Sequence, residues 1–247
     1  MDRRLQVLER AFRADPRDGG RAADLAAAAL RAGRPRLALT AARTLGPEAP
    51  LRTAAARRLA GRLHLTYLGV REGCDAFAAP LGVEFVLVPG GAFLDEGPCA
   101  WRSSVAPGSL RAPARPVAVG DLLVAVDAWP GLDRRALRER ARALGGRLPT
   151  PAEWKKAWRG GLYLDGDASG LQPNPEPDRL APGGSSAATP EALMRSPYGL
   201  LFRADHREAS CVAQRVLCLD LEGGRYERPL VPGRPLVGRP VIELPSE

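Results

Sequence analysis

Four cysteines and two histidines are the residues of this chain best suited to soft-metal or nucleophilic chemistry: Cys74, Cys99, Cys211, Cys218, His64 and His206. Their spacing restricts what they can do. No CxxC pair is present, and no cysteine stands at zinc-type spacing from either histidine. Cys211 and Cys218, in EASCVAQRVLCLD, would point to opposite faces of one strand, because side chains there alternate with a period of two. Neither histidine sits in a Ser/Cys and acid pattern that would activate a nucleophile. Gly90-Gly91, Gly160-Gly161 and Gly183-Gly184 are turn pairs without Walker or dinucleotide-binding spacing. Asp165, Asp167 and Asn174 lack the further oxygen ligands of a calcium loop and read as a solvated turn. Glu153 has the chemistry of a general acid, but it lies three residues after Thr150, where helix capping accounts for it.

The elements that would position these groups differ along the chain. Residues 1–65 are helical in pattern. Leu5, Leu8 and Phe12 share one face of a helix that stops before the turn Asp15-Pro16-Arg17-Asp18-Gly19-Gly20. A second helix runs from about Arg21 to Ala32 and stops at Gly33. A third starts near Pro35 and ends at Gly46-Pro47, and a fourth covers about Leu51 to Leu63. A bridge containing Gly69 and Gly73 follows. VEFVLVPGGAFL (83–94) and RPVAVGDLLVAVDAW (115–129) then read as strands, and a helix spans about Leu132 to Leu144. Thr150, Pro151 and Glu153 set the start of another helix by cap, first-turn proline and capping box. Residues 164–197 are rich in Pro, Gly and Ser and read as a long surface loop, and apolar β-like runs return at Ala209–Leu221 and Pro235–Leu244.

Composition is that of a globular protein: 247 residues, 45% hydrophobic and 26% charged. The formal charge of +8 first suggests nucleic acid. It is unevenly placed. Residues 1–65 hold 14 arginines, no lysine and 6 acids, so they carry the whole excess, and the remainder is neutral. Lys155 and Lys156 are the two lysines; the arginine and alanine bias has the look of a GC-rich genome. Nucleic acid is therefore not the expected partner. The start is charged and amphipathic, unlike a signal peptide, and no run of about 18 apolar residues is present. A cytoplasmic protein with reduced thiols, off the membrane, is the expectation.

The run FRADPRDGGRAADLAAAALRAGRPRLALTAA resembles one and a half tetratricopeptide-type repeats, a DP turn followed by an alanine-rich helix pair. Such helices could offer a peptide groove or serve as a helical cap. Further on, FVLVPGGAFL resembles the opening of formylglycine-generating-enzyme and sulfatase-modifying-factor domains, and GGRLPTPAEWKKAWRGG is similar to that family's most specific segment. SPYGLLF resembles the segment before its Gly-Asn-Val-Trp-Glu-Trp motif, and VGRPVIEL its closing Gly-Phe-Arg-Val strand. The four occur in family order over residues 83–244. The resemblance implies an α+β, C-type-lectin-like domain with little regular structure, here residues 69–247, after an all-α segment of residues 1–68.

The same resemblance implies where chemistry would lie. Oxidising family members hold copper on a late cysteine pair preceded by a Gly-Gly-Ser-Trp-like stretch. Cys211 and Cys218 are the candidates here, without that stretch; soft thiolates would suit Cu(I). Where the family has Gly-Asn-Val-Trp-Glu-Trp, this chain reads Asp205-His206-Arg207-Glu208-Ala209-Ser210, and the residues associated with calcium and the substrate groove are gone. Neither copper nor calcium is expected. The sequence is thus read as a shortened, non-catalytic pseudoenzyme that binds a protein partner through loops around 95–115 and 164–210. Trp101, Tyr198, Phe202, Arg203, His206 and Arg207 are its candidate binding surface. Two alternatives stand beside this reading: a copper-dependent oxidoreductase acting on a peptide cysteine or small thiol, and nucleic-acid binding through the arginine-rich helices.

Overall fold

The apolar spacing of the first helices is realised in a computed structural model, which describes residues 3–95, 115–159, 178–179, 193–196, 198, 200–203, 208–209, 215–219, 225–229 and 236–245. Helix α1 (Arg3–Ala14) buries Leu5. Helix α2 (Gly19–Arg31) begins at Asp18, whose carboxylate accepts the Arg21 N–H at 3.1 Å, and ends at Gly33, in the left-handed region at φ +70°. Helix α3 (Pro35–Ala42) opens on its proline and tightens into a 3₁₀ turn, Arg43–Leu45. Helix α4 (Pro50–Arg62) completes the set. Ala22, Ala26, Ala29, Ala38 and Ala55 are fully buried, with Leu25, Leu39 and Leu59 between them. Small residues bring the helices close while leucines fill the space that is left.

The bridge after α4 is itself structured. It is an antiparallel hairpin of β1 (Thr66–Arg71) and β2 (Cys74–Ala78). Glu72 and Gly73 both have positive φ, 51° and 77°, as a two-residue I′ turn requires, and Gly69 at φ 101° takes up the register shift in β1. Two compact units result. One comprises Met1–Gly82 with Leu244–Glu247, the other Val83–Glu243. The hairpin thus groups with the helices.

In the second unit, β6 (Leu122–Ala125) lies between β3 (Glu84–Val88) and β15 (Val241–Glu243), antiparallel to both. All four residues of β6 are buried, which explains its unbroken apolar run. Strands β4 (Gly91–Asp95) and β5 (Arg115–Val119) pair with each other. Beyond β7 (Trp129–Leu132), helix α5 (Arg134–Ala143) packs Leu137 and Ala141 against Trp129, Leu148 and Leu236. Helix α6 (Pro151–Arg159) follows. The strands β8 (Asp178–Arg179), β9 (Leu193–Arg195) and β10 (Leu201–Arg203) form an antiparallel ribbon, so the 164–197 stretch contributes strand where a loop was expected. A further sheet has the order β13 (Arg225–Pro229), β12 (Arg215–Leu219), β11 (Glu208–Ala209), β14 (Leu236–Gly238), β7, antiparallel except between β11 and β14. The class is α+β.

Candidate functional site

A heavily bonded buried polar group of the second unit is Glu208, on β11. Its carboxylate is 3% exposed and is met by Arg239, 1% exposed, in the two-pronged geometry that a guanidinium fork allows: Nε to Oε2 at 3.1 Å and Nη2 to Oε1 at 3.0 Å. The indole N–H of Trp154, from α6, donates to Oε2 at 2.7 Å. Arg239 spends its remaining nitrogen, Nη1, on the carbonyls of Ala125 (2.8 Å) and Val126 (2.6 Å), at the end of β6. Four separate stretches of chain therefore meet on one buried ion pair. A charge pair this deep is tolerated because its hydrogen-bonding capacity is so largely met.

Next to it in sequence, the 147–153 segment builds a second pair. Arg147 Nη1 and Nη2 donate to Glu153 Oε2 and Oε1 at 2.7 and 2.6 Å, and Nη2 also lies 3.3 Å from Glu243. The capping box expected at this helix is complete: Thr150 N–H donates to Glu153 Oε2 at 2.7 Å, and Glu153 N–H donates to Thr150 Oγ1 at 3.2 Å. Burial pushes the Glu153 carboxyl up, but hydrogen bonds from Arg147 and Thr150 outweigh it and hold the group below its ordinary range. An acid kept ionised in this way is a poor proton donor at neutral pH. Lys156, fully buried on the same helix, donates from Nζ to Gly91 O at 3.2 Å.

The helical unit carries its own buried charge. Asp75, on β2, is inaccessible, and Arg52 of α4 clamps it with Nε to Oδ1 and Nη2 to Oδ2, both at 3.0 Å. Arg52 Nη2 also donates to Gly73 O, and Arg43 stands 3.8 Å from Oδ2. Tyr67 donates its hydroxyl to Asp75 Oδ1 at 3.0 Å; burial and the Asp75 charge push the phenol up to about 12. The neighbouring Cys74 is a free, buried thiol whose pKa burial raises, which keeps it protonated and unreactive.

The expected site residues do not gather in one place. Tyr198 is buried, 6% exposed, and not offered at a surface. Ser196 Oγ accepts the N–H groups of Tyr198 (3.2 Å) and Leu200 (3.3 Å), and this tight turn carries both residues inward. Phe202 and Arg203 lie on β10, paired with Met194 and Leu193. Cys218 is mid-strand in β12, opposite Tyr226. Trp101, His206, Arg207, Cys99 and Cys211, with Asp165, Asp167 and Asn174, fall outside the described residues, so the cysteine pair's fit to copper finds no geometry to rest on. His64 (φ 55°) closes α4 in the left-handed conformation more often given to glycine, with Leu65 N–H returning to Ala60 O at 2.9 Å.

Many arginines of the helical unit have internal partners. Arg58 donates to Leu30 O at 2.9 Å and Arg62 to Gly33 O, both at the C-terminal end of α2, where cations are favoured. Arg21 reaches Ala11 O, at the corresponding end of α1, at 3.3 Å. Sequence reasoning missed Asp75, Arg52, Tyr67, Glu208 and Arg239 as the buried polar groups; the one available signal was a charged residue inside an apolar run, as in LVGRPVIEL. Among the described residues no group of three or more His, Cys, Asp or Glu could hold a metal ion, and no helix is long and apolar enough to cross a membrane. Comparison with known families, with curated proteins and with solved structures gives no match for this chain.

Proposed function

We propose that the chain is a non-catalytic protein-binding or regulatory module, built on a degenerate formylglycine-generating-enzyme-like scaffold of C-type-lectin type. The observation that carries this reading is the Glu208–Arg239–Trp154 cluster. It joins three segments that support the resemblance: RLPTPAEW, the stretch after SPYGL, and VGRPVIEL. The buried ion pair lies in the stretch where the motif's tryptophans and asparagine are lost. Glu153 and Glu208, the acids nearest that motif chemistry, are both bound by arginine, which favours an architectural role for them.

Recognition would fall to the loops on this scaffold, around 95–115 and 164–210. The test is capture of partners from the source cell with the full chain as bait, beside a variant with Trp101, Phe202 and Arg207 changed to alanine. A protein retained by the wild type and lost by the variant is expected; identical proteins on both columns would overturn the reading. Titration with Cu(I) separates the oxidoreductase alternative. Sub-micromolar binding that disappears in Cys211→Ala would replace the binding-module reading with that one.

A further inference from the structure

Helix α5 divides its sequence, RRALRERARA, between two sides. Leu137 and Ala141, four residues apart, are buried against Trp129, Leu148 and Leu236. The rest of the helix carries five arginines. Asp133 caps it by accepting the Ala136 N–H at 2.8 Å, and the Arg140 guanidinium lies 4.5 Å over the Trp129 ring, so the helix is held from both its start and its last turns. Arg134, Arg135, Arg138, Glu139 and Arg142 line an open groove of about 410 Å³ on it. Four arginines against one glutamate give this lining a charge of +3. The glutamate is itself engaged, with Arg135 Nε 2.8 Å from its Oε1.

Arg134, Arg138 and Arg142 stand four residues apart, so they form one stripe that rises about 6 Å at each step. An extended peptide repeats its side chains on one side at every second residue, about 6.6 Å. We propose that this groove is a docking site for an extended acidic peptide with a carboxylate at every second residue, each taken by one arginine of the stripe. Guanidinium groups suit that partner because their paired N–H donors match the two oxygens of a carboxylate. The distribution of charge favours a peptide over nucleic acid. Beyond residue 65 the chain has 22 basic and 22 acidic residues, so α5 is a local concentration of positive charge in a neutral stretch. A nucleic-acid backbone runs on past one helix and calls for further cations along its length, whereas three carboxylates need only the stripe. The lining residues lie outside the loops invoked above, and the site does not depend on that reading.

The probe is a fluorescent peptide, Ser-Glu-Ser-Glu-Ser-Glu-Ser, titrated by polarisation into the full chain at about 50 mM NaCl, where screening is weak. Saturable binding is expected, and each exposed ion pair should contribute a factor of about two to five. Arg138→Gln/Arg142→Gln should therefore weaken the peptide by about fivefold or more, and Arg138→Glu/Arg142→Glu should abolish binding. Arg3→Glu/Arg4→Glu on α1 changes the net charge equally and should leave the affinity as it is. A second peptide of equal charge, Ser-Ser-Glu-Glu-Glu-Ser-Ser, cannot place all three carboxylates on one side and should bind about threefold more weakly. Circular dichroism checks that each variant keeps its helices; should the glutamate variant unfold, the glutamine variant decides. Absence of saturation up to about 1 mM peptide, or equal losses in the α5 and α1 variants, overturns the proposal. So does equal binding of the two peptides. A short oligothymidylate that binds more tightly than the peptide, and is lost in the α5 variants, overturns it in favour of nucleic acid.

Discussion

Glu208 and Arg239 lie 31 residues apart, on β11 and between β14 and β15, and form a two-pronged ion pair in which both side chains are almost wholly buried. Truncating one partner strands the other's charge in a low-dielectric interior, which costs far more than the pair contributes. Glu208→Gln keeps the shape and should still cost about 3–5 kcal/mol in urea unfolding, as should Arg239→Met. The double variant Glu208→Leu/Arg239→Met should recover much of that loss. Equal, additive losses would mean that the two side chains do not act as a pair.

The Arg147–Glu153 contact separates capping from charge. Glutamine also completes a capping box, so Glu153→Gln keeps the cap and loses the ion pair. With the Arg147 side chain 36% exposed, the loss is screened and should amount to about 1 kcal/mol at pH 7. The pH dependence gives the sharper measurement. The folded Glu153 pKa is depressed, so its contribution is present above the unfolded value of about 4.3 and is lost as pH falls through the folded value. Thermal unfolding from pH 6 down to pH 2.5 should show wild type and variant converging at the acid end. Curves that stay parallel would exclude the carboxylate as the source.

How much of this was legible in advance follows from the range of the forces involved. The helices α1–α4, the Thr150–Glu153 cap and α6 depend on neighbours within a turn or two, and proline, glycine and apolar spacing marked them within a few residues. The β1–β2 hairpin was not visible, because its I′ turn uses Glu72-Gly73 and not the Asn-Gly or Asp-Gly that marks such turns most plainly. The burial of Asp75 and Glu208 has no local signal for a different reason. Their partners, Arg52 and Arg239, lie 23 and 31 residues away, and no local pattern encodes that distance. Tyr198 looked like a surface aromatic because its inward course is set by the Ser196 hydroxyl, a turn that SPYGL does not announce.

Tyr67 predicts alkaline behaviour in the helical unit. Its phenol is held up to about 12 by burial and by Asp75, whereas the unfolded value is about 10. Here the folded state holds its proton more tightly, so stability is fully present below pH 10 and is lost as pH rises from 10 toward 12. Tyr67→Phe removes this pH-dependent term and costs about 1 kcal/mol at neutral pH through the lost hydrogen bond to Asp75. Far-ultraviolet circular dichroism followed from pH 9 to 12 should show the wild-type slope and a flatter one in the variant. An unchanged slope would assign the alkaline loss to other groups.

Gly145 and Gly146 are adjacent and should respond differently to alanine. Gly145, at φ +73°, has open space around it, so a methyl group meets no neighbour and costs only the left-handed backbone strain, about 1 kcal/mol. Gly146 has the opposite problem. A methyl there would lie 2.6 Å from Val241 O and 3.2 Å from Ile242 Cγ1. That carbonyl cannot easily retreat, because it accepts the Arg147 N–H at 2.8 Å while Val241 N–H donates to Arg147 O at 2.8 Å. Relieving the clash means breaking the bridge that ties β15 to the segment before α6. Gly146→Ala should therefore cost about 2–3 kcal/mol. Gly145→Asn, which tolerates the left-handed region, should cost less than Gly145→Ala. Urea midpoints for the three variants give the order directly, and a larger loss in Gly145→Ala than in Gly146→Ala would show that strain, not close backbone approach, governs this turn.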